Sequence, residues 1–397
     1  MRIKAIFKYT MYTMLILLSM ASCHWFKPED ETIYDRTVLV YIAADNNLSS
    51  WHQEDIDEML EGAGDIPQNC RLLVYVDDTD LPRILSIEQQ KGRRPVAKTV
   101  HQYTSEHNSG DTETLRLAME WATTNCPTES YGLVLWSHGS SWVPEKAPAQ
   151  RAVCQDSKAG SWMEIKDIAD VLAQSPHLDF ILFDACFMQA VEVAYELRHT
   201  TRYILASPAE IPGPGAPYHR IMNGLFSQPL NVDEIIHSYY HYYSNYPDGY
   251  GVVISAIDCS AIDELLGITS EMIIKHISAE EPDTNLDGIQ QYAPKHNGGK
   301  HPRPNYYDMN SYMKRVLPEA DYQQWKEVFD ITVPYRYATE HWFSFLPPEH
   351  PSMDLYVDMA EYGGVSCYVP KHVHPHLNQK FRSTSWYHAA GWEQVGW

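Results

Sequence analysis

Apolar residues follow two rhythms along this chain. Thr37 to Ala44 (TVLVYIAA) is a continuous, β-branched run, which predicts a strand buried on both faces. Arg71 to Val76 (RLLVYV) predicts a second buried strand, and Arg83 to Ile87 a third with more exposure. Tyr131 to Trp136 (YGLVLW), Phe180 to Phe183, Tyr203 to Ala206 and Val365 to Val369 read as further strands. Helical spacing fills the intervals. Ile56, Met59 and Leu60 form one face of a helix that Ser50 and Gln53 would open as a capping box. From Thr112, Leu115, Ala118, Met119 and Ala122 recur at i, i+3, i+4 and i+7. Ile165 to Leu172 and Phe187 to Leu197 predict two more helices. Strand–helix alternation of this kind makes an α/β fold: a mostly parallel sheet with helices on both faces. In such sheets the chemistry gathers at the carboxyl ends of the strands.

The chain start breaks the pattern. Arg2, Lys4 and Lys8 precede an apolar stretch from Met11 to Leu18, which is too short to cross a bilayer, and then Met20-Ala21-Ser22-Cys23. Small residues before a Cys resemble the lipobox of bacterial lipoproteins. That likeness implies cleavage before Cys23, lipidation of Cys23, and an exported protein anchored to a bacterial membrane, at the cell surface or elsewhere. An ordinary secretory signal peptide is the alternative. Residues 1–22 are thus read as signal and residues 23–36, with Lys27, Pro28, Glu29, Asp30 and Glu31, as a flexible tether. Residues 37–278 carry the main domain. Pro, Asn, Gly and charged residues crowd residues 279–304, which predicts an exposed insertion or linker. Residues 305–397 then complete the fold as a small C-terminal extension.

Composition narrows the classes of function. With 397 residues and 44% hydrophobic content the chain is long enough for a sizeable core. Its net charge of −22 argues against nucleic acid as a partner, because such a surface repels phosphates, and favours neutral or cationic ones. The seven cysteines are scattered without a CxxC pair, which speaks against a zinc site and against a dense disulfide framework. GxSxG, HExxH, Walker A and strand-following GxGxxG motifs are missing. Two metal signals are weak. Asp283 to Gly288 copies half of an EF-hand loop, but Pro294 stands where a bidentate Glu is needed. His372, His374 and His376 alternate as on a strand, but Pro375 between them argues for a loop.

Two strand ends carry the candidate chemistry. One apolar strand delivers His138, followed by Gly139, whose missing Cβ lets a ligand approach the backbone. Another, Phe180 to Phe183, runs through Asp184 to Cys186, just ahead of the helix expected from Phe187, whose dipole would favour a thiolate. A thiol and an imidazole on one sheet edge suit nucleophilic and acid–base work. They are 48 residues apart, with the His upstream, a caspase-like arrangement.

Here a resemblance becomes specific. Trp136-Ser137-His138-Gly139-Ser140-Ser141-Trp142 and Phe183-Asp184-Ala185-Cys186-Phe187-Met188 resemble the two signature blocks of the clostripain family of cysteine peptidases, which shares a caspase-like fold with gingipains, legumains and separases. The strand from Val38 with its Asp45-Asn46-Asn47-Leu48 turn, the loop Ser207 to Tyr218 and the segment Gly364 to Pro370 extend the likeness over residues 37–397. Ala216 departs from it, standing after Gly215 where the family has an aromatic residue. The resemblance implies a cysteine endopeptidase in which Cys186 is the nucleophile, His138 the acid and base, and the N–H groups of Gly139 and Cys186 the oxyanion hole. It implies polypeptide substrates cut after Arg or Lys, with Asp184 at the floor of the side-chain pocket and Glu210 as a second acid. Capping of the helix expected from Phe187 is the competing role for Asp184. Self-cleavage after Lys146 or Arg151 and a calcium requirement with no assignable site go with the same likeness. A surface-anchored binding protein without activity and a transpeptidase using the same two residues remain as alternatives.

Overall fold

The computed structural model describes residues 33–142, 152–247, 249–280, 286, 288–292, 306–343 and 357–397. Its strands, in chain order, are β1 (Arg36–Ala43), β2 (Cys70–Asp77), β3 (Arg83–Glu88), β4 (Val96–Gln102), β5 (Tyr131–Trp136), β6 (Val153–Asp156) and β7 (Ser161–Met163). There follow β8 (Leu178–Asp184), β9 (Thr201–Ala206), β10 (Val253–Asp258), β11 (Tyr306–Asp308), β12 (Tyr335–Ala338) and β13 (Ser366–Tyr368). Among the described residues the central sheet has nine strands in the order β12-β10-β9-β8-β5-β1-β2-β3-β4. Its middle, β9-β8-β5-β1-β2, is parallel throughout, and antiparallel strands extend both edges.

The continuous apolar runs have a direct cause: both faces of the parallel strands are covered. In β1, Leu39, Tyr41 and Ala43 point into one core, and Val38, Val40 and Ile42 into the other. On the first face lie α2 (Thr112–Asn125), α3 (Ile165–Leu172) and α4 (Val191–Leu197), with α7 (Ile262–His276) and α9 (Glu319–Thr332) beyond them. On the second lie α1 (His52–Glu61), α5 (Tyr218–Phe226) and α6 (Val232–Ser244). The remaining helices, α8 (Met309–Val316), α10 (Pro375–Phe381) and α11 (Ser385–Ala389), belong to the C-terminal third.

Several sequence expectations change. Arg36 is not part of a tether: it opens β1, buried, and its guanidinium binds Ser130 Oγ, Asp179 and the carbonyls of Leu225 and Ser227. Ser50 and Gln53 form no capping box, since α1 starts after Trp51 without a side-chain cap and Gln53 bonds Asp57 instead. β3 is mostly buried, because β4 pairs along its outer edge. Within 279–304, the stretch expected to be exposed, Ile289 and Tyr292 are buried and Gln291 bridges to Tyr307. β12 is the edge strand of the central sheet, while β13 pairs with β11 apart from it. His374 precedes α10 and Pro375 occupies its first turn, so the three histidines do not share a strand face. Residues 34–397 form one compact unit.

Candidate active site

The ladder between β5 and β8 positions the two candidate residues. Trp136 pairs with Asp184 in parallel register, and Ser137 N–H still donates to Asp184 O at 3.3 Å. Two residues further on, His138 and Cys186 therefore leave neighbouring strands at the same level. Gly139 packs directly on the backbone of Cys186: a Cβ there would lie 2.5 Å from Cys186 O and 3.1 Å from Cys186 N. Ser140 N–H donates to Ala152 O at 2.8 Å across the antiparallel bridge between Gly139 and Val153. That is the wide-pair pattern, in which Gly139's own N–H takes no part.

Cys186 differs from the other cysteines among the described residues. Cys70, Cys126, Cys154, Cys259 and Cys367 are buried and unpaired, and burial raises each of their thiols. Cys186 is half-buried, and Ile211 N–H donates to its Sγ at 3.4 Å. It is not at a helix N-terminus, however. α4 begins only at Val191, and residues 186–190 form a turn in which Phe187 has φ 64°, a conformation costly for an aromatic residue. Three contacts hold that turn: Phe187 N–H to Ala209 O at 2.9 Å, Gln189 N–H to Ser207 O at 3.0 Å, and stacking of Phe187 on Tyr306 at 4.9 Å. The helix dipole thus drops out as the activator of the thiol.

A residue that the sequence did not single out bonds the imidazole. Asn47 Oδ1 lies 2.6 Å from His138 Nε2. The turn bearing Asn47 is fixed by its neighbour Asn46, whose Nδ2 donates to Ala43 O and Gln155 O and whose Oδ1 accepts from Leu48 N–H, each at 2.8 Å. The Trp162 ring flanks His138, with centroids 6.2 Å apart. Only the family-like Asp45-Asn46-Asn47-Leu48 turn hinted at this role.

Asp184 does not cap a helix either. It is buried; Oδ1 accepts Ala216 N–H and Oδ2 accepts the Tyr218 hydroxyl, both at 3.0 Å. Burial pushes its carboxyl up to about 7, and Glu58 adds to the rise. Gly215, at φ +66°, lies against this carboxylate; a Cβ there would be 2.9 Å from Oδ2. Ala216 is fully buried in the core, so the departure from the family's aromatic residue does not remove an exposed wall. Glu210 is buried in the same loop, next to Ile211, whose N–H reaches the thiol. Lys146 and Arg151, the candidate processing positions, and Cys23, the candidate lipid anchor, lie outside the described residues. The same holds for most of the EF-hand-like stretch Asp283 to Gly288. Among the described residues no group of three Asp, Glu, His or Cys side chains is placed to hold a metal ion. The calcium suggested by family likeness therefore finds no fitting site there, and no chemical step is derived through it.

Such a scaffold, a parallel sheet presenting a thiol and an imidazole on neighbouring strand ends, is the caspase-like α/β architecture of cysteine peptidases. Comparison with known proteins narrows the class: residues 40–374 match the model of the clostripain family, and the chain belongs to that family. A secreted cysteine protease from Bacteroides thetaiotaomicron, solved in complex with an irreversible peptide inhibitor, is 32% identical with a TM-score of 0.78, covering 90% of this chain and 99% of its own. An inactive zymogen protease from Parabacteroides distasonis is 29% identical with a TM-score of 0.77, covering 90% of this chain and 98% of its own. Clostripain from Hathewaya histolytica is 29% identical over 220 residues, 47% of this chain and 41% of that protein, so the match spans well under two thirds of that relative.

Proposed function

We propose that this protein is an exported, lipid-anchored cysteine endopeptidase that cuts polypeptides after Arg or Lys. The observation that carries the reading is the β5–β8 register, which brings His138 level with Cys186 and packs Gly139 onto the nucleophile's backbone. Cys186 Sγ attacks the scissile carbonyl as its proton passes to His138. With Asn47 Oδ1 accepting from Nε2–H, the ring's free base is Nδ1, and Asn47 acts as a positioning residue. The Gly139 and Cys186 N–H groups receive the oxyanion. His138 then protonates the leaving amine, and afterwards takes a proton from the water that releases the acyl group. Asp184, with Glu210 as a second acid, selects the cationic side chain before the cut by a charge-assisted bond.

Self-cleavage after Lys146 or Arg151 is part of the same proposal; a related chain was solved as an inactive zymogen. Mass spectrometry of wild type beside Cys186→Ala decides it, since an intact wild-type chain in an active preparation contradicts it. Export is supported by the leader-like start and by the secreted relative. Cys23→Ala should release the protein from membranes.

The decisive test is a fluorogenic peptide panel, run with calcium and with a chelator, on wild type, Cys186→Ala and His138→Ala. Both variants should keep the fold and lose turnover after Arg and Lys, and an alkylating Arg-peptide analogue should label wild type at Cys186 only. Wild-type turnover in Cys186→Ala would overturn the reading. Cleavage of the panel after Asp, Asn or apolar residues would overturn the specificity.

A further inference from the structure

The two-stranded sheet β11–β13 stands against both turns of the site. From β13, Ser366 N–H donates to Gln189 O at 2.9 Å, which ties down the far end of the turn after Cys186. Tyr368 packs edge-on against Trp142, in the segment after His138, with centroids 5.5 Å apart. From β11, Tyr306 reaches both turns with one side chain. Its hydroxyl donates to Ser140 O at 2.8 Å, and its ring stacks on Phe187 at 4.9 Å. Tyr306 is itself buried and pairs with Tyr368 across the small sheet, so it is held from behind.

Each turn also holds one residue in the left-handed region, Ser141 at φ 59° and Phe187 at φ 64°. Neither is a glycine, and such backbone persists only where its surroundings enforce it. Tyr306 acts at both places. Its hydroxyl holds the peptide unit that joins Ser140 to Ser141, and its ring lies on Phe187 itself. Ser140 is then fixed on both sides, because its N–H is already taken by Ala152 O at 2.8 Å. With Ser140 pinned, the preceding Gly139 and His138 lose the freedom to swing away from Cys186.

We propose that Tyr306 is a positioning residue, a strut between the two strand-end turns that keeps His138 and Gly139 in reach of Cys186. This rests on the reading of Cys186 and His138 as the catalytic pair. Tyr306 acts through Ser140 and Phe187, so its contribution falls on turnover rather than on substrate binding. The ring transmits position only while it is held at both ends. The two contacts are therefore coupled: loosening one releases the other.

The test is a double-mutant cycle, read as kcat on an Arg fluorogenic peptide per site titrated with an irreversible peptide inhibitor, beside a melting curve. Tyr306→Phe keeps the stack and loses the hydroxyl; Phe187→Leu keeps the hydroxyl and loses the stack. Each should lower kcat about tenfold and leave KM within about twofold, short of the roughly 100-fold that a full 1 Å misplacement costs. The double variant should fall no more than about threefold below the less active single. A loss of about 100-fold, the product of two independent contacts, overturns the strut. Tyr41→Phe is the control, since it removes the same kind of bond, hydroxyl to Ser109 O at 3.1 Å, from within β1. It should keep kcat whatever it does to Tm. If Tyr306→Phe keeps kcat per titrated site within about twofold of wild type, or loses no more than Tyr41→Phe, the residue only packs and the strut is wrong. That isosteric variant decides alone if Phe187→Leu does not fold. If wild type itself turns over no Arg or Lys peptide, the catalytic reading falls, and the strut with it.

Discussion

Gly139→Ala is the sharpest probe of the strand-end geometry. A Cβ at residue 139 would stand 2.5 Å from Cys186 O, 3.0 Å from Ala185 Cβ and 3.1 Å from Cys186 N. Ordinary contact needs about 3.5 Å, so the two strand ends must separate by about 1 Å. Two of the three atoms are backbone in the turn of Cys186, the proposed nucleophile, which leaves no flexible side chain to yield. That displacement falls on the proposed oxyanion donor and on the thiol together, and a shift of about 1 Å in a reacting constellation costs about 100-fold in rate. Expressed as a barrier this is about 2.7 kcal/mol. Overpacking should also lower stability by about 1–3 kcal/mol. The assay is kcat and KM on an Arg fluorogenic peptide, with active-site titration to count competent thiols and a melting curve to separate misfolding from misplacement. Gly267→Ala is the control: Gly267 lies exposed inside α7 with nothing within 4 Å of the added Cβ. If Gly139→Ala keeps kcat/KM within about threefold of wild type, the close packing of the two strand ends is not what positions the chemistry.

Three further outcomes follow from the same structure. Gly267→Ala itself should leave activity unchanged and raise stability by about 0.5–1 kcal/mol, read from a denaturant midpoint. Asn47→Ala should lower kcat about 10- to 100-fold with little change in KM or Tm, because the imidazole loses its orienting partner; unchanged kcat would remove Asn47 from the mechanism. Glu192 is fully buried at the start of α4, accepts Tyr368 N–H at 2.8 Å, and is pushed by burial up to about 7. A raised carboxyl contributes stability below its unfolded value of 4.5 that is lost as pH rises through about 7, on the order of 3 kcal/mol. Glu192→Gln should therefore raise Tm at pH 8, match wild type near pH 4, and flatten the profile between; a parallel profile refutes the assignment.

What the chain disclosed in advance follows from burial. Strands covered on both faces leave unbroken apolar runs, so β1, β2, β5, β8 and β9 were legible, and with them the level at which His138 and Cys186 emerge. β4 carries no such run, since as an edge strand none of its residues is fully buried. The start of α4 was misplaced because Phe187, Met188 and Ala190 are as apolar as a helix face would require. Only tertiary partners, Ala209, Ser207 and Tyr306, hold Phe187 at positive φ. Asn47 acts as a single side chain on a turn, where no periodicity marks it. Its role depends on a partner 91 residues away.

The strand order has a consequence for how this molecule could be divided. β1 to β5 precede residue 143 and occupy one side of the sheet; β8, β9, β10 and β12 follow residue 151 and occupy the other. The boundary between the halves is the β5–β8 ladder, and that ladder separates His138 from Cys186. Two polypeptides parted between residues 143 and 151 would each carry one half of the proposed dyad and one raw sheet edge. Neither would hydrolyse anything alone, and activity on mixing would rise with the product of their concentrations until the edges zip together. The fold is, in that sense, a ready-made complementation pair, in which catalysis reports that two separately made halves have met.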